Sequence, residues 1–177
     1  LGSVSTKLIQ QATCPVLVVK NEAVPLRRIA LATDGSPASA KALEFVLAKF
    51  QPDRPTGKGR SAPIHVSVIH VTLRRPLALF DIGTTIPWTQ QRRLKVKEES
   101  RTLLDQSVQK LIEAGFRAKS VSRVGNPAEQ IMEAASKQQA DLIVMGAQGL
   151  GALDRFFLGS VSTRVVQYAN GAVLVVR

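Results

Sequence analysis

The chain has 177 residues, 45% of them hydrophobic and only 5% aromatic, with 24 Lys and Arg against 13 Asp and Glu for a formal charge of +11. That apolar content suits one compact core plus an appendage. The longest apolar runs, Leu142 to Met145 and Val173 to Val176, are far too short to span a bilayer, and no charged segment followed by an apolar one opens the chain, so it reads as cytoplasmic with no membrane partner. The single cysteine, Cys14, excludes an intramolecular disulfide. The charge is attractive to polyanions, but its basic groups (Lys49 to Arg60, Arg74-Arg75, Arg92 to Lys97) carry no interleaved aromatics for base stacking. Nucleic acid is therefore the weaker reading of that charge, and a solvated basic face the plainer one.

In chain order the first feature is a repeat. Residues 1–20, LGSVSTKLIQQATCPVLVVK, return at 158–177 as LGSVSTRVVQYANGAVLVVR, with twelve of twenty positions identical. Because only the tail of the unit stands at the front, the spacing predicts that 1–20 are the closing helix and strand of a preceding domain, 21–27 a linker, and 28–177 one complete domain. The strand Pro15 to Lys20 is then an edge that needs a partner.

From Arg28 onward, short β-type runs alternate with segments of helical period, the pattern of a parallel sheet covered by helices. Strands are expected at Ile29 to Thr33, Ile64 to Val71, Lys119 to Val124, Leu142 to Gly146 and Ala172 to Val176: an open five-stranded parallel α/β sheet with helices on both faces, Rossmann-like. The first helix is capped by Ser36, has Pro37 in its first turn and presents Ala40, Leu43, Val46 and Leu47 on one face. The second, Gln90 to Ala114, buries Leu94, Leu104, Val108, Leu111 and Ile112 and stops at Gly115. Asn126 and Pro127 open the third, with Ile131, Met132 and Ala135 inward, and the last runs from Ser160 to Tyr168. Residues 51–63, rich in Pro and Gly, read as a loop. Residues 74–89, with Leu77, Leu79, Phe80 and Ile82 among Pro and Gly, read as a flap over the sheet's edge.

Chemistry concentrates after the fourth expected strand. It runs into Gly146-Ala147-Gln148-Gly149, and nine residues later Gly159-Ser160-Val161-Ser162 opens the last helix. Glycines let backbone amides turn toward an anion, and a helix start adds free amides and a favourable dipole, so phosphate is the expected guest. The hydroxyls of Ser160 and Ser162 can donate to phosphate or cap the helix; the residues alone leave both open. Gly149-Leu150-Gly151 lacks the third glycine of a dinucleotide fingerprint, and no P-loop is present. His65 and His70 share one apolar strand with no nearby Cys or paired carboxylate, which argues against a metal site. No catalytic nucleophile turn is present.

These residues resemble the ATP-binding branch of the universal stress protein family, whose pattern is Gly-x2-Gly-x9-Gly-Ser/Thr. The likeness extends over 28–177 through Ala32-Thr33-Asp34-Gly35-Ser36, His70-Val71, Gly125 to Ile131 and Val173 to Val176, while 1–20 resemble the end of a second copy, as in tandem members. The resemblance implies an adenine nucleotide alpha hydrolase-like fold and a site for ATP, or AMP or ADP. Asp34 would lie by the adenosine with Ala32 and Thr33 on the same wall, although Asp-Gly is also ordinary turn sequence. Val71 would meet the adenine, Met145 and Gly146 would border the nucleoside, and Gly149, Gly159, Ser160, Val161 and Ser162 would hold the phosphates, with Mg2+ among them. It also implies that Pro15 to Lys20 pairs with Ala172 to Val176, of the same chain or of a neighbour in a homodimer.

The function this implies is a nucleotide-dependent stress-response module with little or no turnover, since no general base or activated nucleophile stands near the expected phosphates. Two other readings compete with it. One is a slow ATPase that takes a carboxylate from a partner or from the 74–89 flap. The other is an assembly protein with a vestigial nucleotide site, whose basic face around Arg92 and Arg93 holds a polyanion.

Overall fold

The computed structural model describes residues 3–20, 25–56, 60–73, 90–149 and 158–177. The expected flap at 74–89 lies outside them, as do the side chains of Leu94, Arg92 and Arg93.

In chain order, α1 (Ser3–Gln11) and β1 (Val16–Val18) precede β2 (Arg28–Ala32), α2 (Pro37–Lys49), a ribbon of β3 (Asp53–Thr56) and β4 (Arg60–Pro63), β5 (His65–Thr72) and α3 (Gln90–Glu113). There follow β6 (Arg117–Val124), α4 (Pro127–Lys137), β7 (Leu142–Gly146), α5 (Ser160–Tyr168) and β8 (Ala172–Val176). The main sheet has the order β1-β8-β7-β2-β5-β6. Five strands are mutually parallel, and β1 joins the β8 edge antiparallel.

Alternation along the strands divides the core into two layers. Ile29 and Leu31 of β2 pack with Leu43 and Val46 of α2 and Leu104 and Leu111 of α3 on one face. Ala30 and Ala32 turn the other way, toward Ile131 of α4 and Val165 and Val166 of α5. Helix starts follow local chemistry: Ser36 Oγ accepts from Ser39 N at 3.2 Å, Asn126 Oδ1 accepts from Ala128 N at 3.1 Å, and Pro stands first in both α2 and α4. Gly115, at φ +90°, ends α3 in the left-handed region.

Three expectations are corrected. Ala40 is exposed, and the buried face of α2 instead uses Ser39 and Ala42 with Leu43 and Val46. Ile112 is 49% exposed because it follows Leu111, which points into the core, and consecutive helical positions diverge. Residues 51–63 include the β3–β4 ribbon, with Arg54 opposite Ala62; a two-stranded ribbon is all edge, so Pro55 and Pro63 need not break a ladder.

The terminal segments meet with a two-fold logic. Val16 faces Val175, Leu17 faces Leu174 and Val18 faces Val173. Leu17 and Leu174 are counterparts in the sequence repeat, so the register is the one that an axis between them imposes. The end groups obey the same exchange. Lys20 Nζ donates to Gln167 O (3.0 Å) and Ala169 O (2.6 Å) at the end of α5, while its repeat counterpart Arg177 donates through Nη2 to Ile9 O (2.6 Å) and Gln10 O (2.9 Å) at the end of α1. Each cation thus satisfies carbonyls that a helix C-terminus leaves open. Burial pushes the Lys20 ammonium below the ordinary lysine value, an effect that the two carbonyls oppose by holding its charged form.

Candidate functional site

The chain leaves β2 for β5 on one side and reaches β7 on the other, so the sheet changes direction between β2 and β7. Ligands in open α/β sheets sit outside the carboxyl ends of the strands at such a point. There the structure forms a cavity of about 470 Å3 whose walls include all eleven residues singled out from the sequence: Ala32, Thr33, Asp34, Val71, Met145, Gly146, Gly149, Gly159, Ser160, Val161 and Ser162. That volume lies within the range of small-molecule sites.

The two ends of the cavity differ chemically. Toward β5 and α4 the walls include Val71, Leu73 and Ile131, with Met145 from β7 and His70 beside them, suited to a flat, largely apolar group. Toward α5 they are Gly149, Gly159 and Ser160. Helix α5 starts from Gly159 with no side-chain cap, which leaves the first-turn amides available to an anion. No Lys or Arg among the described residues lines the cavity, so backbone amides and hydroxyls carry the anion chemistry there.

The glycines have distinct reasons. A Cβ on Gly146 would stand 2.5 Å from Ala38 C and 2.8 Å from Ser39 N, so this glycine admits the first turn of α2 against the end of β7. A Cβ on Gly149 would meet Asp34 Oδ2 at 2.7 Å, which puts the carboxylate and the glycine loop in direct apposition. The other carboxylate oxygen, Oδ1, accepts from Ser36 N at 3.0 Å, across Gly35 at φ +80°. The turn chemistry of Asp-Gly is therefore real, and it aims the carboxylate into the cavity.

Ser162 also differs from its simplest reading. It is buried, and its hydroxyl donates to Gly146 O and Ala147 O, both at 3.0 Å, pinning the start of α5 to the exit of β7. A hydroxyl has one proton, so Ser162 has none left to give to phosphate. Ser160, by contrast, is exposed at the helix start.

Sequence reasoning passed over His70, Ser39 and Gln148, which also line the cavity. His70 Nδ1 lies 2.9 Å from Thr33 O and Nε2 lies 3.1 Å from Ser100 Oγ. A carbonyl only accepts, so Nδ1 carries the proton, and the imidazole ties the ends of β2 and β5 to α3. The available signal was a polar residue at the end of a buried strand. Among the described residues no group of three or more His, Cys, Asp or Glu is placed to hold a metal ion, and no helix is long and apolar enough to cross a membrane.

The model of the universal stress protein family matches residues 25–177. The chain belongs to that family. Universal stress protein YxiE of Bacillus subtilis is 32% identical over 157 residues, covering 85% of this chain and 98% of YxiE. A universal stress protein of Mycolicibacterium smegmatis aligns with the whole chain at 33% identity, yet the chain spans only 56% of that relative. It likewise matches about half the length of the universal stress proteins MJ0577 (51%) and MJ0531 (48%) of Methanocaldococcus jannaschii. The solved structure of MJ0577 superposes with a TM-score of 0.68 at 29% identity, covering 86% of this chain and 96% of that one. Two more distant structures share the universal stress fold and hold nucleotides: one is in complex with cAMP and another, from Arabidopsis thaliana, has AMP bound.

Proposed function

We propose that this universal stress domain binds ATP, or its mono- or diphosphate, and acts as a nucleotide-dependent regulatory module with little or no turnover. The observation that carries the reading is the uncapped start of α5 facing the Gly149 loop in one cavity with the ends of β2, β5 and β7. Phosphates lie at Gly149, Gly159, Ser160 and the first α5 amides, including those of Val161 and Ser162. The adenine lies against Val71 and Met145. Asp34 is an acceptor, so it repels phosphate and faces the nucleoside hydroxyls beside Ala32 and Thr33. With no cationic side chain among the described lining residues, Mg2+ carried by the nucleotide supplies the missing positive charge. The nucleotide-bound relatives share the fold and support the class of ligand.

Residues 1–20 fit the same proposal as the closing piece of a preceding universal stress domain, a reading supported by the repeat and by the longer M. smegmatis relative. The β1–β8 ladder then stands in for the pairing of two domains.

The test is mass analysis of any nucleotide that co-purifies, followed by calorimetric titration of ATP with and without Mg2+. Saturable one-to-one binding that Gly149→Val abolishes is expected. Binding that survives that substitution overturns the site. Hydrolysis faster than about one per second, ordinary enzymatic turnover, overturns the non-catalytic part.

A further inference from the structure

At the opposite end of the sheet, β2, β5 and β6 begin with Arg28, His65 and Arg117. The register sets Arg28 beside His65 and His65 beside Arg117, and Lys119 follows two residues on, beside Ser67. Residues in register across a sheet, and every second residue along a strand, share a face, so Arg28, His65, Arg117 and Lys119 converge on one side. With Arg27 they line a concave surface of about 490 Å3, which Ser67 shares as the next residue of β5 on the same face.

None of the four cations, Arg27, Arg28, Arg117 and Lys119, is in an ion pair among the described residues, where the only pairs are Arg101 with Asp105 and Lys137 with Glu133. The nearby carboxylate of Asp141 accepts instead from the backbone amides of Arg27 and Arg28, each at 2.8 Å, and Arg28 Nη1 donates to the neutral Gln139 side chain at 3.1 Å. The carboxyl end of α4, at Gln138, adds a weak negative dipole. One carboxylate and one dipole do not offset four cations. Like charges gathered on one face without counter-charge cost free energy, and an anion bound among them relieves it.

We propose that this surface is a second anion site, distinct from the nucleotide cavity, which takes a small polyphosphate group. Size and chemistry select that class. The volume suits a small molecule, guanidinium forks pair with phosphate oxygens two at a time, and the described lining residues include no Phe, Tyr or Trp on which nucleic-acid bases would stack. The site gives the high net charge of the chain a specific use. It does not depend on ATP binding at the other end of the sheet.

The test is isothermal titration of the full chain with inorganic tripolyphosphate. The proposal requires one site that weakens as salt rises and that survives Gly149→Val, which disables the glycine loop. It also requires that the exposed double variant Arg117→Glu/Lys119→Glu, folded by circular dichroism, bind at least about tenfold more weakly with ATP affinity unchanged. No saturable binding, binding indifferent to the double variant, or binding lost with Gly149→Val overturns it. So does a single-stranded oligothymidylate that binds more tightly than tripolyphosphate through Arg117 and Lys119, which makes the surface a nucleic-acid face.

Discussion

Replacing Gly146 by alanine tests whether the site is built by packing or by glycine flexibility alone. The added Cβ would lie 2.5 Å from Ala38 C, 2.7 Å from Ala38 O and 2.8 Å from Ser39 N, all backbone atoms of the first α2 turn. None can swing aside as a side-chain tip would, and Ser39 Oγ is bonded to Ser36 O at 2.9 Å, which stiffens the turn. Overpacking of a close core contact costs about 1–3 kcal/mol, and a backbone clash belongs at the upper end. At about 3 kcal/mol the melting temperature should fall by roughly 6–12 °C for a domain of this size. Because relief comes by moving α2 away from β7, Asp34 and Thr33 move too, and ATP affinity should fall beyond the stability loss. Differential scanning calorimetry and ATP titration of the variant measure both. A melting temperature within about 2 °C of the parent would refute the claim that α2 is seated on Gly146.

Gly149→Ala should behave oppositely, with little change in melting temperature but weakened ATP binding, because its Cβ meets no backbone atom and instead displaces the Asp34 side chain, whose Oδ2 lies 2.7 Å away; calorimetry on the same samples decides. Ser162→Ala takes the buried hydroxyl away from Gly146 O, while Ala147 O keeps the Gly159 amide at 2.8 Å, and should cost about 1 kcal/mol in urea unfolding. Arg177→Ala should loosen α1 and β1 selectively, seen as faster amide exchange over 3–18, whereas Arg177→Lys should lose less, since it also removes an Nε that is buried with no partner among the described residues. Deleting residues 1–20 bares the β8 edge, and sedimentation should then show a dimer; a monomer would count against pairing through β8. Hydrogen bonds from Lys137 and Gln130 hold the Glu133 carboxyl below its ordinary 4.5, so its small stabilisation is present above that pH and lost as pH falls through the lowered value. The stability difference between the parent and Glu133→Gln should close on acidification.

The parallel sheet was legible because buried strands read as continuous apolar runs and because caps such as Ser36 and Asn126 mark helix starts locally. The glycines and the start of α5 were legible from their own spacing, and the other cavity residues as a set from the family resemblance that this spacing carries. Their separate jobs were not. That Gly146 makes room for α2, or that Ser162 binds back to β7, depends on which element lies across the gap. The β3–β4 ribbon was hidden by Pro and Gly, which speak against strands everywhere except at an edge. The basic surface was hidden for a simpler reason: Arg28, His65 and Arg117 lie on three strands far apart in the chain, and only the register makes them neighbours. A basic residue at the first position of three strands was the trace that sequence offered.

The antiparallel meeting of β1 with β8 has a consequence for competition between molecules. Val18 and Arg28 belong to one chain, so β1 is presented to β8 at an effective concentration on the order of millimolar, the regime of a short covalent connection. A free strand from another molecule at micromolar levels is outnumbered by roughly a thousandfold before any difference in contacts is counted. Three residues of ladder and two cationic caps are therefore enough to keep the edge occupied, although the same contacts between separate molecules would be weak. The tether sets how often the strands meet, and the mirrored register and caps set which meeting is accepted.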